Sequence, residues 1–268
     1  MSMPVVKTLE GGGADPDGNR FHALLLDRVD STSAEAARRA AAGAPSGTFV
    51  VGGEQTAGRG RRGRSWHSPP GNFYGSLLLR PACRPADAAQ LGFVAGVALA
   101  ETLAAWVPGS QAVQCKWPND ILVAGRKIAG LLLEGSTAGN GVLDWVIVGM
   151  GVNLRWCPAD ADGQFPATTL TAEAPAVDVD ASTFLAQLSP VFAAWLDRWD
   201  RAGFSPVRTA WLNRAYRLGA GIRVLVENET LEGRFTGIDD TGAMLLDASH
   251  GIRVVTVGDV VSARPLPA

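Results

Sequence analysis

Between Gly58 and Arg64 the chain places four arginines and three glycines in seven residues, with no acid among them: Gly58-Arg59-Gly60-Arg61-Arg62-Gly63-Arg64. Glycine lets backbone amides come close to a ligand, and guanidinium groups present paired donors that match phosphate or carboxylate oxygens. The chemistry this run suits is anion binding. Its glycines satisfy G-x-G-x-x-G, but after Trp66 comes His67-Ser68-Pro69-Pro70-Gly71-Asn72, which cannot open the helix a dinucleotide fingerprint requires. Ala82, Cys83 and Arg84 stand where the ribose-binding acid would fall, and no Gly-Lys-Ser/Thr closes the run as a P-loop would. A solvated basic loop is the plain alternative.

Other polar groups interrupt apolar runs in ways that suit a ligand. In Asp30-Ser31-Thr32-Ser33-Ala34-Glu35, Thr32 and Glu35 have capping-box spacing ahead of an alanine-rich stretch. The segment is either a helix cap or a set of hydroxyls and free amides that hold a polar ligand head. In Lys116-Trp117-Pro118-Asn119-Asp120 the proline marks an edge or bulge. Asn119 and Asp120 either face a ligand there or form an ordinary turn. Lys127 heads an apolar strand in which Gly130 suggests close approach of a ligand or backbone, although a surface lysine at a strand start is common. Asn153 follows Gly149-Met150-Gly151-Val152, and its amide could read a base edge or simply close a turn. The cysteines Cys83, Cys115 and Cys157 lack metal-ligand spacing, and His22, His67 and His250 have no partners in sequence that would make them catalytic.

The elements that must position these groups belong to a chain of 268 residues, enough for one large domain with a small companion. A net charge of −2 makes the arginine run a local feature rather than part of a generally basic, nucleic-acid-binding surface. The cysteine usage suits a reducing cytoplasm, and no signal or membrane-spanning segment is visible. Residues 1–20 read as a mobile leader rich in Gly and Asp. Strands are predicted over Phe21–Val29, Thr48–Val51, Phe73–Leu79, Val113–Val123 (broken at Pro118), Arg126–Glu134 and Asp144–Val148. Helices are predicted from Thr32 to Gly43, over Gln90–Ala105, behind Ser182 and over about Pro206–Tyr216. Phe184, Leu188, Val191, Phe192, Trp195 and Trp199 form one helical face, which reads as core. Residues 159–180 read as an irregular loop without a role. Beyond Leu218, short strands separated by Asn228-Glu229, Asp240-Thr241-Gly242 and His250-Gly251 indicate a small barrel. The division is therefore leader 1–20, large domain 21–218 and small domain 219–268.

Taken together, Gly58–Trp66, Lys116–Asp120, Arg126–Leu132 and Gly149–Asn153 resemble the biotin protein ligases, in the right order and over roughly residues 21 to 265. The resemblance implies an α+β fold: a mixed β-sheet catalytic domain flanked by helices, biotin/lipoate ligase-like, with a small C-terminal SH3-like barrel. It implies activation of biotin by MgATP to biotinyl-5'-adenylate, then transfer to a lysine of the biotin carboxyl carrier domain of a carboxylase. By similarity, Arg61 and Lys127 would be catalytic. Ser31, Thr32, Ser33, Gln55, Arg59, Gly60, Gly130 and Leu132 would complete the biotin site. Gly58, Arg64, Trp66, Lys116, Asn119 and Asn153 would join Arg59, Gly60 and Arg61 around the adenylate, and Asp120 would orient Mg2+. Many relatives place asparagine where this chain has Ser33. Only about twenty residues precede the first strand, so the resemblance is to the monofunctional type without an N-terminal DNA-binding domain; no DNA or membrane partner is expected. An open sheet edge would support a homodimer. The rival readings are a lipoate or octanoate ligase of the same superfamily and a non-enzymatic nucleic-acid binder using the arginine loop.

Overall fold

The computed structural model describes residues 5–9, 12–109, 113–139, 141–159, 165–227 and 229–261. The main sheet has eight strands: β1 (Val5–Thr8), β2 (His22–Leu26), β3 (Thr48–Gly52), β4 (Phe73–Leu79), β5 (Val113–Lys116), β6 (Asp120–Val123), β7 (Arg126–Thr137) and β8 (Leu143–Val152). Their order is β1-β2-β3-β4-β8-β7-β6-β5. Only β2 and β3 run parallel, because helix α1 (Thr32–Ala41) supplies the crossover between them. β6 and β7 form a hairpin whose turn residues Ala124 (φ 48°) and Gly125 (φ 76°) are both left-handed, matching the twist of the strands they join.

Pleating sends alternate residues to opposite faces. On one face Leu77, Leu79, Val148 and Met150 enter a large core with α2 (Leu91–Ala104), α4 (Ala181–Ala202) and α5 (Phe204–Leu212). On the other, Leu24, Val50, Leu78 and Ile147 pack under Ala36 and Ala40 of α1. Gly149 and Gly151 of β8 share this second face with Ile147, and Gly130 of β7 stands opposite Gly151 in the ladder. The floor beside the start of α1 therefore has no side chains for three positions.

The aromatic stripe of α4 is buried as its spacing predicts, apart from a half-buried Val191. Pro190 lies inside the helix, and the cap is Asp180, whose carboxylate accepts from the Thr183 amide at 2.7 Å, rather than Ser182. The following helix ends at Leu212, short of the predicted Tyr216. Another difference is at the N-terminus: Val5–Thr8 pairs antiparallel with β2, whereas composition suggested an irregular leader. Residues 1–4, 10 and 11 of that leader, 160–164 of the 159–180 loop and Asn228 of a predicted turn lie outside the described residues. Within the loop, Leu170–Glu173 forms a short helix, α3, capped by Thr169.

The C-terminal strands β9 (Gly221–Val226), β10 (Glu229–Ile238), β11 (Met244–Ala248), β12 (Gly251–Val255) and β13 (Asp259–Val261) form an antiparallel sheet of order β12-β11-β10-β9-β13. This is the small β unit that the turn spacing predicts. Phe235, Ile238, Met244 and Leu246 belong to the same core as the main sheet, and Trp117 donates its indole N–H to the Gly242 carbonyl at 3.0 Å.

Candidate active site

One rung of the main sheet organises the charged end of the site. Lys116 pairs with Asp120 across β5–β6, Asp120 with Gly130 across β6–β7, and Gly130 with Gly151 across β7–β8. All four share the face that carries the glycine floor. Asp120 is buried, with one oxygen 2.7 Å from Lys116 Nζ and the other 2.5 Å from Lys127 Nζ. Burial alone would raise its pKa, but the two ammonium groups outweigh that and hold the carboxyl well below the usual range. Lys116 is also buried and sits over the Phe165 ring, 4.8 Å from its centroid. Lys127, whose side chain is 28% exposed, reaches the cavity with its backbone locked between Pro166 and Thr168.

The arginine run is a tight hairpin. Trp66 N–H donates to the Gly58 carbonyl and Gly60 N–H to the Arg64 carbonyl, while Arg62 (φ 56°) and Gly63 (φ 73°) make the turn. A Cβ at Gly58 would fall 2.4 Å from the Trp66 carbonyl, so only glycine closes this strand pair. Arg61 points inward: one of its nitrogens donates to Asn119 Oδ1 at 3.2 Å and to Asp259 Oδ1 at 3.0 Å. Arg62 and Arg64 approach the other Asp259 oxygen at 3.4 Å each, so one carboxylate from the C-terminal unit gathers three guanidinium groups. Burial lowers the Arg61 pKa from its ordinary value and Asp259 opposes the shift; the group stays cationic. Arg59 sits at the rim, paired with Glu134 at 2.8 Å.

Trp66 lies on the glycine floor. A Cβ at Gly151 would come within 2.6 Å of its indole, and one at Gly130 within 3.1 Å. The close approach foreseen at Gly130 is thus made by an indole ring. Lys127 Nζ stands 5.4 Å from the same ring's centroid. Trp66 Nε1 is buried without a hydrogen-bond partner among the described residues. Asn153 donates its side-chain amide to the Thr168 carbonyl at 3.2 Å.

The other end of the site is built from neutral polar groups at the start of α1. Its cap is Ser31, one residue before the predicted Thr32; Ser31 Oγ accepts from the Ala34 amide at 3.4 Å. Thr32 is thereby free to hydrogen-bond inward: its N–H donates to Gln55 Oε1 at 2.8 Å, and its hydroxyl meets the same oxygen at 3.1 Å and Ser76 Oγ at 2.8 Å. Ser33 Oγ lies 3.0 Å from Ser76 Oγ and faces Gly149.

These groups border one cavity of about 500 Å³. It brings together Ser31, Thr32, Ser33, Gln55, Arg59, Gly60, Arg61, Arg64, Trp66, Lys116, Asn119, Asp120, Lys127, Gly130, Leu132 and Asn153. Gly58, alone among the predicted site residues, acts from behind the lining by shaping the hairpin. Five cations, Arg59, Arg61, Arg64, Lys116 and Lys127, face two carboxylates, Asp120 and Asp259, so the cavity favours an anion. Sequence reasoning missed Asp259 and Phe165, which also line it. The two oxygens of Asp120 lie within ion-pair distance of Lys116 and Lys127, and no cluster of three His, Cys, Asp or Glu exists among the described residues. The donor set fits a polyanion.

Residues 25–153 match the Biotin/lipoate A/B protein ligase family and residues 218–261 match the Biotin protein ligase C terminal domain. The chain is 44% identical to a biotin--[acetyl-CoA-carboxylase] ligase of Paracoccus denitrificans over 88% of this chain and 98% of that protein. It is 31% identical to the bifunctional ligase/repressor BirA of Escherichia coli K12 over 97% of this chain and 77% of that protein. Among solved structures, the biotin protein ligase of Aquifex aeolicus in complex with biotin and ATP superposes with a TM-score of 0.75 at 27% identity, covering 89% of this chain and 97% of that one.

Proposed function

The chain belongs to the biotin protein ligase family, and from that premise we propose that its cavity joins biotin to ATP and passes the biotinyl group to a carboxylase. The reaction activates biotin as biotinyl-5'-adenylate, releasing diphosphate, and then acylates a lysine of the biotin carboxyl carrier domain of acetyl-CoA carboxylase. The observation that carries the residue assignment is Lys127 and Arg61 bordering the same cavity, the first paired with Asp120 and the second hydrogen-bonded to the adjacent Asn119.

In the first step the biotin carboxylate attacks the α-phosphate and diphosphate leaves. Two anions must approach, and negative charge grows on the α-phosphoryl oxygens. Lys127 and Arg61 bracket this point, holding nucleophile and phosphate in one orientation and stabilising the developing charge. Lys116 adds positive charge behind them, and Asp120 holds both lysines in place. The α1 end takes the ureido ring through Ser31, Thr32, Ser33 and Gln55, with Gly130 and Leu132 along the valeryl chain. Trp66 covers the adenine and Asn153 reads its edge. Arg59, Gly60 and Arg64 close the hairpin over the adenylate, which limits its hydrolysis. Magnesium would enter on the nucleotide phosphates, with Asn119 and Asp120 as the nearby oxygen donors that would orient it. In the second step the carrier lysine attacks the mixed anhydride and AMP leaves with the same cations around its phosphate.

No helix among the described residues is long and apolar enough to cross a membrane. We place the reaction in the cytoplasm, where the free cysteines Cys83, Cys115 and Cys157 stay reduced. Arg214 and Tyr216 hydrogen-bond to the outer edge of β5, which leaves β1 as the sheet edge at which a second copy would pair in a homodimer. The test of function is incubation with ATP and a purified carrier domain, supplying biotin or lipoate. Biotin-dependent labelling of the carrier lysine supports the assignment; labelling with lipoate alone contradicts it.

A further inference from the structure

Resting on the biotin-ligase reading above, we propose that Ser76, which does not line the cavity, is a positioning residue. It orients the hydroxyl at the α1 end so that Ser33 accepts a hydrogen bond from a ureido N–H and rejects a substrate oxygen in that place. Ser76 is fully buried in the otherwise apolar strand β4, on the face it shares with Leu78, and its hydroxyl contacts two others: Thr32 Oγ1 at 2.8 Å and Ser33 Oγ at 3.0 Å. Each hydroxyl has one hydrogen, so a chain of such contacts has a direction once one end is fixed.

Here the end is fixed by groups with no choice. Thr32 N–H can only donate, so the Gln55 atom 2.8 Å from it is the acceptor Oε1. The other side of the same amide agrees: Ser68 donates to the Trp66 carbonyl at 2.8 Å, and its oxygen accepts from Gln55 Nε2 at 2.8 Å. Thr32 then spends its hydrogen on Gln55 Oε1 at 3.1 Å. Ser76 must donate to Thr32, and having no second hydrogen it must accept from Ser33. The Ser33 hydrogen is directed into the protein, and the lone pairs of its oxygen face the cavity that it lines. Gly149 keeps that side open, because a Cβ there would fall 2.8 Å from Ser33 Oγ. The group this arrangement recognises is a neutral N–H donor at the biotin end.

The experiment measures biotin-dependent ATP–diphosphate exchange by the full chain with biotin and with its two carbamate analogues, in which one or the other ureido N–H is replaced by O. In the wild type, one analogue falls about 100-fold below biotin in kcat/KM, because two oxygens then face each other without a hydrogen. In Ser76→Ala the Ser33 hydroxyl is free to turn and donate to the ring oxygen. The ratio of biotin to that analogue shrinks by about tenfold or more, while the KM for ATP stays within about twofold. In a Ser33→Ala background, Ser76→Ala leaves the ratio unchanged, since its effect passes through Ser33. Equal losses for biotin and both analogues in Ser76→Ala, or an unchanged ratio, would show a packing role only and overturn the proposal. Absence of any biotin-dependent exchange in the wild type would overturn the biotin-ligase reading itself, and the proposal with it.

Discussion

Replacing Asp120 with asparagine keeps its shape and removes the charge between Lys116 and Lys127. At contacts of 2.7 and 2.5 Å, each ion pair has a gross attraction of about 6 kcal/mol at an effective dielectric of about 20. Most of this is offset by the desolvation of three charged groups, and removing one member of a buried pair costs about 3–5 kcal/mol net. Lys127 is 28% exposed and can rehydrate, so the lower end of that range applies, about 3 kcal/mol. The sign of the pH dependence follows from the depressed carboxyl pKa. The stabilisation is complete above the ordinary carboxylate value of about 4 and is lost as pH falls toward the folded-state pKa. Urea unfolding of wild type and Asp120→Asn at pH 7 and at pH 3 measures both quantities. The stability gap should be about 3 kcal/mol at pH 7 and smaller at pH 3. A gap under about 0.5 kcal/mol at pH 7, or one that widens in acid, would refute the view of Asp120 as the buried counter-ion that positions both lysines.

Asp259→Ala releases the hairpin from the C-terminal unit. Cleavage by trypsin within residues 59–64 should be about tenfold faster without ligands and slowed by biotin plus ATP, the exposed Arg64 pair contributing least; cleavage at the wild-type rate would mean that the three ion pairs do not fasten it. Gly151→Ala puts a methyl 2.6 Å from the Trp66 indole and should raise the KM for ATP by about tenfold while that for biotin changes less than about twofold. An unchanged KM for ATP would remove Trp66 from the adenine site.

Much of the site was legible because its signals are local. The arginine-glycine run, the lysine ahead of an apolar strand and the glycines in β7 and β8 are unusual residues for their neighbourhoods, and the structure places Arg59, Gly60, Arg61, Arg64, Lys127, Gly130, Gly149 and Gly151 around one cavity. Groups whose meaning depends on pairing across the sheet were not legible. Ser76 is a single hydroxyl in Phe73-Tyr74-Gly75-Ser76-Leu77-Leu78-Leu79, and only the β4 pleat and the position of α1 place it against Thr32 and Ser33. Asp259 lies 198 residues from Arg61, so no local pattern connects them. Asp120 sits between the ammonium groups of Lys116 and Lys127, a contact set by the sheet ladder that its polar sequence neighbours do not reveal. The caps at Ser31 and Asp180 differ from the predicted ones by one and two residues, since several adjacent side chains could each accept the first free amides. Val5–Thr8 was hidden beside a glycine-rich run because an edge strand of four residues has too little pattern of its own.

If Lys127 and Arg61 act together on one biotinyl phosphate anhydride, biotin-dependent ATP–diphosphate exchange by Lys127→Ala and by Arg61→Ala, each checked for folding, should fall by about two orders of magnitude or more. Exchange at the wild-type rate in either variant would remove that residue from the chemistry of adenylate formation.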